Sequence, residues 1–315
     1  MSHSRILQQR NIWQVALAVV QLGRPKFLLG GFALHGLGAL TALVQGYSFQ
    51  LAAYCWGQLA TTAIQLMTHY SNDYFDYQAD LANPSPTCWS GGSRVLVRGL
   101  LPRSTALWVA VSLAGVACLA MLGLALSQPP SLGLSLLVLA AMLVLSWSYS
   151  SPPLRLHTRG LGEPTVAIVV PLLTPIAGFV VQAGELTWLP VLLCVPLSMF
   201  LMAMLLTLEF PDEVGDRTVQ KKSWVVVLGA RRVANLCSLF VVLGFLTSLA
   251  SSPLGVPSAV ASAWLWLIPL GLLQLVRMWR RDWRRPETWN SLAFGSVALF
   301  FLAVVADLVA LYTLL

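Results

Sequence analysis

The chain alternates long apolar stretches with short polar connections, and this alternation predicts its architecture. Nine apolar segments have about the 20 residues that a helix needs to cross the hydrocarbon core of a bilayer. They are 27–44, 49–71, 105–126, 132–150, 164–181, 189–208, 233–250, 259–278 and 292–314. Because lipid offers the backbone no hydrogen-bond partners, each segment should be a helix. We therefore predict an all-α membrane protein with nine transmembrane helices, in a single domain over residues 1–315.

Composition and charge agree with this architecture and add an orientation. Hydrophobic residues make up 57% of the chain and charged residues only 10%, which excludes an ordinary soluble domain. If nine spans are correct, all 19 Lys and Arg residues fall on one side of the membrane. By the positive-inside rule, this side and the N-terminus are cytoplasmic, and residues 1–24 form an interfacial segment there. The net charge of +7 is thereby explained without a nucleic-acid partner.

Three aspartates directly follow the second apolar segment, in the stretch 72–80. If the helix continues through them, at about 100° per residue, Asp73, Asp76 and Asp80 fall within an arc of roughly 60°. Three like charges at the mouth of a membrane helix repel one another, and a shared cation removes that cost. Hard oxygen ligands suit Mg2+, which commonly bridges a carboxylate to a phosphate. A solvated helix end is the alternative.

A second acidic cluster follows the sixth apolar segment. Asp212 and Asp216 are four residues apart and so share one helical face, while Glu209 lies within about 60° of them. Pro211 should break the helix just ahead of the cluster. The bases that come next are Arg217, Lys221 and Lys222. Carboxylates beside bases are the layout that a metal diphosphate requires, whereas a salt-bridge patch at the membrane surface is the alternative.

The positions of the two clusters predict how the helices are grouped. Each cluster ends the second helix of a set of four, which indicates two related four-helix halves around a central cavity, with the ninth helix as an addition. Two further loops should roof this cavity. In 90–98, the pair Gly91-Gly92 precedes Arg94, so that the backbone and a guanidinium can both approach a phosphate. In 149–163, two prolines stiffen the exit from the fourth span.

Cysteine and histidine indicate no further site in this sequence. Four of the five cysteines lie in apolar segments, where Cys behaves as a small hydrophobic residue, and Cys88 has no partner at metal-ligand spacing. His157 has no companion and is expected to be structural. His69 stands out only through its position one turn ahead of the first acidic cluster.

The two acidic motifs resemble those of a known family. The pattern Asn72-Asp73-x-x-Asp76-x-x-x-Asp80 is similar to the first aspartate-rich motif of the UbiA-type intramembrane prenyltransferases, and Asp212-x-x-x-Asp216 is similar to the second. Arg24-Pro25 at the start of the first span also fits the family. Within it, the segments 72–77, 91–96 and 152–163 are most similar to the 1,4-dihydroxy-2-naphthoate polyprenyltransferases. That branch often carries asparagines at the positions of Leu208 and Glu209 and a glycine at that of Gln220, departures that bear on the acceptor.

The resemblance implies a function and a set of site residues. The function is Mg2+-dependent transfer of a polyprenyl group from a polyprenyl diphosphate to an aromatic acceptor, 1,4-dihydroxy-2-naphthoate in menaquinone or phylloquinone biosynthesis, at the cytoplasmic side of the cell membrane. The implied Mg2+ ligands are Asp73, Asp76, Asp80, Asp212 and Asp216. The implied substrate-binding residues are Arg24, Asn72, Arg94, Arg155 and Lys221. The implied catalytic residues are Asp73, Asp76, Asp212, Asp216 and Tyr149. The ring of Tyr149 or Tyr74 shields the allylic cation.

Two kinds of alternative stay open. Relatives in the same superfamily prenylate homogentisate, 4-hydroxybenzoate, a chlorophyllide or a glyceryl phosphate, and the choice of acceptor depends on the shape of the pocket. A secondary transporter for an anionic solute would also have many helices and internal repeats. Transporters usually hold charged ligands near the bilayer midplane, whereas here the concentrated carboxylates lie at one surface, which favours the enzyme.

Overall fold

The computed structural model describes residues 11–127 and 129–315, and these residues form an all-helical protein with no β-strand among them. The α-helices, numbered in chain order, are α1 (Ile12–Leu22), α2 (Leu28–Val44), α3 (Leu51–Phe75), α4 (Tyr77–Ala82), α5 (Arg103–Leu126), α6 (Leu132–Ser150), α7 (Gly162–Ile168), α8 (Thr174–Ala183), α9 (Trp188–Glu209), α10 (Glu213–Thr218), α11 (Trp224–Leu228), α12 (Ala230–Ser251), α13 (Ser258–Ala263), α14 (Ile268–Trp279) and α15 (Pro286–Tyr312). The expected interfacial segment 1–24 is described from Asn11 onward, so its basic residues Arg5 and Arg10 lie outside the described part of the chain.

Eight helical stretches in the described residues are long and apolar enough to cross a membrane. They are Pro25–Val44, Arg103–Leu126, Leu132–Ser150, Gly162–Ala183, Trp188–Thr218, Ala230–Leu254, Ser258–Trp279 and Pro286–Tyr312. These stretches correspond to eight of the nine predicted segments. The cytoplasmic side that the basic residues predict stays a prediction.

The remaining predicted span forms α3. With 25 residues, α3 is about 37 Å long, which is enough to cross the hydrocarbon. Its composition separates it from the other eight, because polar residues recur along its length. These are Gln58, Thr61, Thr62, Gln65, Thr68, His69, Ser71, Asn72 and Asp73. A ninth crossing, by α3, therefore stays a prediction.

The first acidic stretch is bent, so its three aspartates do not lie on one continuous helix. Helix α3 ends at Phe75, and the short helix α4 begins at Tyr77. Asp76 lies in the bend between them. The backbone N–H of Asp76 still donates to the carbonyl of Asn72 at 2.8 Å, and that of Asp80 donates to the carbonyl of Asp76 at 3.0 Å. The bend therefore reorients α4 with little loss of backbone hydrogen bonding.

The second acidic stretch breaks where its proline predicts. Helix α9 ends at Glu209, a turn of 3-10 helix covers Phe210–Asp212, and α10 begins at Glu213. Pro211 in this turn has no N–H to donate to the preceding turn of helix, so the regular hydrogen bonding stops there. As a result Asp212 occupies the position just before a new short helix, and Asp216 lies one turn inside it.

The bundle is joined at its centre by α2 and α8, the first helices of the two predicted halves. A Cβ at Gly38 of α2 would lie 1.8 Å from the carbonyl oxygen of Pro175, and one at Gly178 of α8 would lie 2.0 Å from that of His35. Both positions therefore require glycine, as at other close helix crossings in membranes. One buried apolar cluster joins α3, α5 and α6 to α8, and another joins α9, α12 and α15 to α2. Each first helix thus packs against the other half.

We expect a reporter fused after Leu315 to be external and one inserted near Arg284 to be cytoplasmic. The reason is that α15 separates a basic connection from an uncharged C-terminal end. A reporter at Pro130, in the uncharged connection after α5, is the control and should match the one at Leu315. Alkaline phosphatase activity or labelling by a membrane-impermeant reagent gives the readout. Finding the Leu315 and Arg284 reporters on the same side would contradict an odd number of spans.

Candidate active site

The two acidic segments meet at one end of the bundle through α4 and α10. Gly215 of α10 packs so closely on α4 that a Cβ there would lie 2.7 Å from the carbonyl oxygen of Ala79. Asn83, just after α4, donates from Nδ2 to Oδ1 of Asp212 at 2.7 Å. The two motifs, which are more than a hundred residues apart in sequence, are therefore neighbours in the fold.

Arg24 holds the first motif from the connection between α1 and α2. Its guanidinium donates to Oδ1 of Asp73 and, at 3.2 Å, to Oδ1 of Asn72. Asp73 is 3% exposed, and it also accepts from the hydroxyl of Ser93 and, at 3.2 Å, from the backbone N–H of Ser93. Burial alone would lower the pKa of Arg24, but the carboxylates of Asp73 and Asp80 outweigh burial and raise this pKa. Arg24 is thus a permanent cation at the edge of the site.

Asp76 is the central acceptor of the site. Its Oδ1 lies 2.7 Å from Nε2 of His157, and its Oδ2 accepts from Nζ of Lys221 at 2.9 Å and from Nδ2 of Asn72 at 3.2 Å. Burial would raise the pKa of Asp76, but Lys221 and then His157 outweigh burial and hold the pKa well below its ordinary value. The Asp76 carboxylate is therefore ionised and fixed by partners from two other segments of the chain.

Lys221 connects the two motifs. Besides contacting Asp76, its ammonium group lies 3.2 Å from Oδ1 of Asp216, whose Oδ2 accepts from the hydroxyl of Ser223 at 2.7 Å. Gln220 presents the lysine with a φ of 57°, in the left-handed region that favours glycine. Burial would lower the pKa of Lys221, but Asp76 and Asp216 outweigh burial and raise the pKa well above its ordinary value. One cation therefore lies between a carboxylate of each motif.

The loop 90–98, which contains the pair Gly91-Gly92, packs against Asp80. Gly92 has a φ of 73°, and a Cβ there would lie 2.0 Å from Oδ2 of Asp80. Arg94 donates to the backbone carbonyl of Asp80. Burial, followed by repulsion from Asp76 and Asp73, outweighs the attraction of Arg24 and raises the pKa of Asp80 to about 8. The Asp80 carboxyl is thus short of positive charge in its surroundings.

Two adjoining cavities open on these side chains. The first has a volume of about 170 Å3 and an acidic wall, and we call it the polar cavity. The second, of about 250 Å3, has a mainly apolar wall, to which α6, α7, α9 and α15 contribute apolar side chains, and we call it the apolar cavity. The residues common to both walls are Arg24, Asn72, Trp89, Tyr149, Val166, Leu205 and Leu208. An acidic chamber therefore lies directly beside an apolar one.

Most of the predicted site residues line the polar cavity. These are Arg24, Asn72, Asp76, Asp80, Tyr149, Asp212, Asp216 and Lys221. Asp73 is buried next to the wall, where Arg24 and Ser93 hold it. Arg94 is turned to the backbone of Asp80, and Arg155 is exposed with its guanidinium 6.0 Å from the ring of Phe75. Neither arginine lines this cavity, so their contacts with a substrate stay predictions.

Two residues of this site were not singled out from the sequence. His157, expected to be structural, is buried and contacts Asp76. It lies 81 residues from Asp76, so only the tertiary fold joins them. Asn83, which holds Asp212, could have been found from the sequence, because it lies about one turn beyond Asp80 on the same stretch of chain.

The donor atoms of the site fit a hard divalent cation. Five carboxylates from the two motifs surround the cationic side chains of Arg24 and Lys221, and Asp80 in particular lacks positive charge around it. In the described part of the chain, no three carboxylate, imidazole or thiol groups lie close enough together to enclose a metal ion. Mg2+ commonly binds through one or two carboxylates, several waters and the phosphates of a substrate. The residues present therefore fit Mg2+ that protein and phosphate hold together.

Comparison with known proteins relates this geometry to one family. The sequence model of the UbiA prenyltransferase family matches residues 31–309. A digeranylgeranylglyceryl phosphate synthase of Thermococcus gammatolerans is 30% identical over 250 residues, which cover 76% of this chain and 79% of the relative. Among solved structures, a UbiA homologue from Archaeoglobus fulgidus bound to DMAPP and Mg2+ is similar in fold, with a TM-score of 0.60, 12% identity, and coverage of 93% and 99% of the two chains. An apo UbiA homologue from Aeropyrum pernix K1 is also similar in fold, with a TM-score of 0.59 and 18% identity. The match covers 89% of this chain and 98% of the homologue.

We expect Gly92→Ala to impair the site and Gly99→Ala to spare it. Both glycines have positive φ, 73° and 62°, so each substitution carries a similar backbone strain of about 1–2 kcal/mol. At Gly92 the new methyl would also meet Oδ2 of Asp80 at 2.0 Å, whereas no described atom lies within 4 Å of a Cβ at Gly99. The measurement is the rise in melting temperature, in detergent, when Mg2+ and inorganic diphosphate are added. This rise should shrink only in Gly92→Ala, and equal rises in both variants would contradict a role for the Gly92–Asp80 contact.

Proposed function

The chain belongs to the UbiA prenyltransferase family, and on that basis we propose that it transfers a polyprenyl group from a polyprenyl diphosphate to an aromatic acceptor, 1,4-dihydroxy-2-naphthoate. The observation that supports this most directly is the position of Lys221. Its Nζ lies 2.9 Å from Asp76 and 3.2 Å from Asp216. Carboxylates of both motifs thus reach one point in the polar cavity. A diphosphate with its metal ions needs this arrangement, because carboxylates alone repel a diphosphate.

The diphosphate of the donor belongs in the polar cavity. Mg2+ held there by Asp73, Asp76, Asp80, Asp212 and Asp216 would supply Lewis-acid neutralisation of the leaving group. Arg24 and Lys221 are cationic side chains of the same wall, and their N–H groups can donate to diphosphate oxygens. As the allylic C–O bond breaks, negative charge collects on the diphosphate, where these donors stabilise it.

The isoprenoid chain of the donor belongs in the apolar cavity. The wall of this cavity includes the rings of Phe27, Phe300 and Phe301. Tyr149 lines both cavities, so its ring is close to the position of the allylic carbon when the two ends of the donor occupy the two cavities. The face of an aromatic ring attracts a cation by about 0.5–2 kcal/mol, and the apolar surroundings exclude the water that would capture it.

The identity of the acceptor is the second part of the proposal. Trp89 and Tyr149, which line both cavities, offer ring faces on which a naphthalene ring can pack. A glyceryl phosphate lipid is the second candidate, because a digeranylgeranylglyceryl phosphate synthase is 30% identical to this chain. That acceptor adds a second phosphate, while Arg24 and Lys221, the cationic side chains of the polar cavity wall, are already assigned to the diphosphate of the donor. We therefore place the aromatic acceptor first.

The acceptor is tested with purified protein, Mg2+ and labelled geranylgeranyl diphosphate, with each acceptor offered separately. We expect a prenylated product from 1,4-dihydroxy-2-naphthoate, with release of carbon dioxide, and none when Mg2+ is chelated. If geranylgeranylglyceryl phosphate is the acceptor that gives a product and the naphthoate gives none, the proposed acceptor is wrong, but prenyl transfer remains the reaction. Uptake of an anionic solute into vesicles, with no product from any acceptor, would overturn the enzymatic function.

We expect Asp76→Asn and Asp212→Asn each to reduce turnover almost to zero if the two motifs bind one diphosphate. Each substitution removes a charge and keeps the shape of the side chain. The double variant should lose little more than the worse single variant, because residues that act as a unit are not additive. The measurement is single-turnover prenyl transfer at varied Mg2+, with folding checked by thermal unfolding in detergent.

Glu213→Gln is the matched control for these variants. Glu213 lies on α10 between the two aspartates of the second motif, and its carboxylate pairs with Arg217 at the surface. Its removal should leave turnover near the wild-type rate, since exposed pairs contribute about 0–1 kcal/mol. An active Asp212→Asn beside an inactive Asp76→Asn would identify the second cluster as a surface patch.

A further inference from the structure

Two carboxyl groups of the polar cavity have no part in the donor site described above. Glu163 in α7 and Glu209 at the end of α9 both line this cavity, and their carboxyl groups are neighbours. Glu163 is 5% exposed, and no N–H or hydroxyl group of the described residues donates to its Oε2. The pair therefore leaves a buried carboxyl oxygen without a donor at the wall of the cavity.

The pair is fixed by two consecutive backbone N–H groups. Oε1 of Glu163 accepts from the N–H of Trp224 at 2.7 Å, and Oε2 of Glu209 accepts from that of Val225 at 3.1 Å. One oxygen of each carboxyl is thus held in place, and the other remains for the neighbouring carboxyl and the cavity. Groups that are held in this way are already oriented before a substrate arrives, as an active-site base must be.

The pair lies on the side of the polar cavity that faces the apolar one. Val166, in the same helix as Glu163, lines both cavities, and so do Leu205 and Leu208, which precede Glu209 on α9. With the donor bound as proposed, its allylic carbon lies at this junction. The nucleophilic atom of the acceptor must come to the same place for a bond to form.

We propose that Glu209, with Glu163 as its partner, binds a hydroxyl group of the acceptor and takes its proton. The inference rests on the proposed function, since it needs an acceptor hydroxyl beside the allylic carbon of a bound donor. Glu209 is assigned as the base because it is the less buried of the two residues. Glu163 is the positioning residue, since its carboxyl neighbours that of Glu209 and is held by the adjacent backbone N–H group. An aromatic diol and a glyceryl phosphate lipid both carry the hydroxyl that this pair would recognise.

The step balances for either kind of acceptor. The acceptor O–H bond breaks, its proton passes to the Glu209 carboxylate, and the electron pair stays on the acceptor. That pair attacks the allylic carbon, from oxygen or through the aromatic ring, while the allylic C–O bond breaks and its electrons leave with the diphosphate. In an aromatic acceptor the attacked carbon then loses H+ or carbon dioxide, and the ring oxygen regains a proton.

The test compares Glu209→Gln and Glu163→Gln with wild type, and Glu213→Gln is the control. Glutamine at 209 keeps an oxygen for the N–H of Val225 but removes the base. We expect kcat for transfer to the acceptor to fall at least about a hundredfold, the usual contribution of general-base catalysis. Mg2+-dependent solvolysis of geranylgeranyl diphosphate without acceptor, and KM for the donor, should stay at wild-type values. A purely structural role would change these donor measurements as well.

A second readout uses the acidity of the acceptor. A ring-fluorinated 1,4-dihydroxy-2-naphthoate, whose hydroxyl ionises more readily, should narrow the gap between wild type and Glu209→Gln. If Glu209→Gln does not fold, Glu163→Gln decides, with the same direction of effect expected. Unchanged transfer in a folded variant, or an equal loss of donor solvolysis, would overturn this inference alone. No transfer by the wild-type protein to any hydroxyl acceptor would overturn the proposed function, and this inference with it.

Discussion

Repulsion among five carboxylates at one end of a membrane bundle is the constraint on which the rest of the site depends. Two like charges 4 Å apart repel by about 4 kcal/mol at an effective dielectric constant of 20. The chain offsets this with Arg24, which pairs with Asp73, and Lys221, which bridges Asp76 and Asp216. Both cations come from connections between helices, where left-handed backbone at Arg24 and just before Lys221 aims the side chains inward. The acidic motifs thus depend on loops that are distant in sequence.

The fold could be predicted from the sequence wherever a helix faces lipid. Eight spans follow from hydropathy, because a helix in hydrocarbon must be apolar over its whole length. Hydropathy is least decisive for α3, since residues such as Gln65 and His69 line the apolar cavity within the bundle. The bend at Asp76 was also not predictable, because nothing local breaks the helix there. Pro211, by contrast, has a local effect on the backbone, and the break was predicted at the right place.

Some features of the site also follow from the local sequence, and others follow only from the tertiary fold. The spacing of Asp73, Asp76 and Asp80 predicts a shared cation site, because repulsion between neighbours in a helix is a local property. The choice of partner for each carboxylate is tertiary. His157 reaches Asp76 only because the connection after α6 folds back over α3, and no spacing in the sequence contains that contact. Arg94 shows the opposite case. Its place beside two glycines predicts a contact with a phosphate, but its guanidinium donates to the backbone carbonyl of Asp80.

The junction of the two cavities explains why the donor can be inferred more readily than the acceptor. Breaking an allylic diphosphate separates an anion from a carbocation, so an acidic chamber that holds metal must adjoin an apolar one that excludes water. The acidic motifs specify the first chamber directly. Under the proposed function, the acceptor instead meets residues near the junction of the chambers, and Glu209 lines the polar chamber next to the shared residue Leu208. The branch that this sequence resembles often carries asparagine at the position of Glu209. An asparagine amide can donate a hydrogen bond but does not take up a proton, whereas a carboxylate can do so. Under the proposal, the difference at Glu209 leaves the donor chamber intact and changes the chemistry that the protein offers the acceptor.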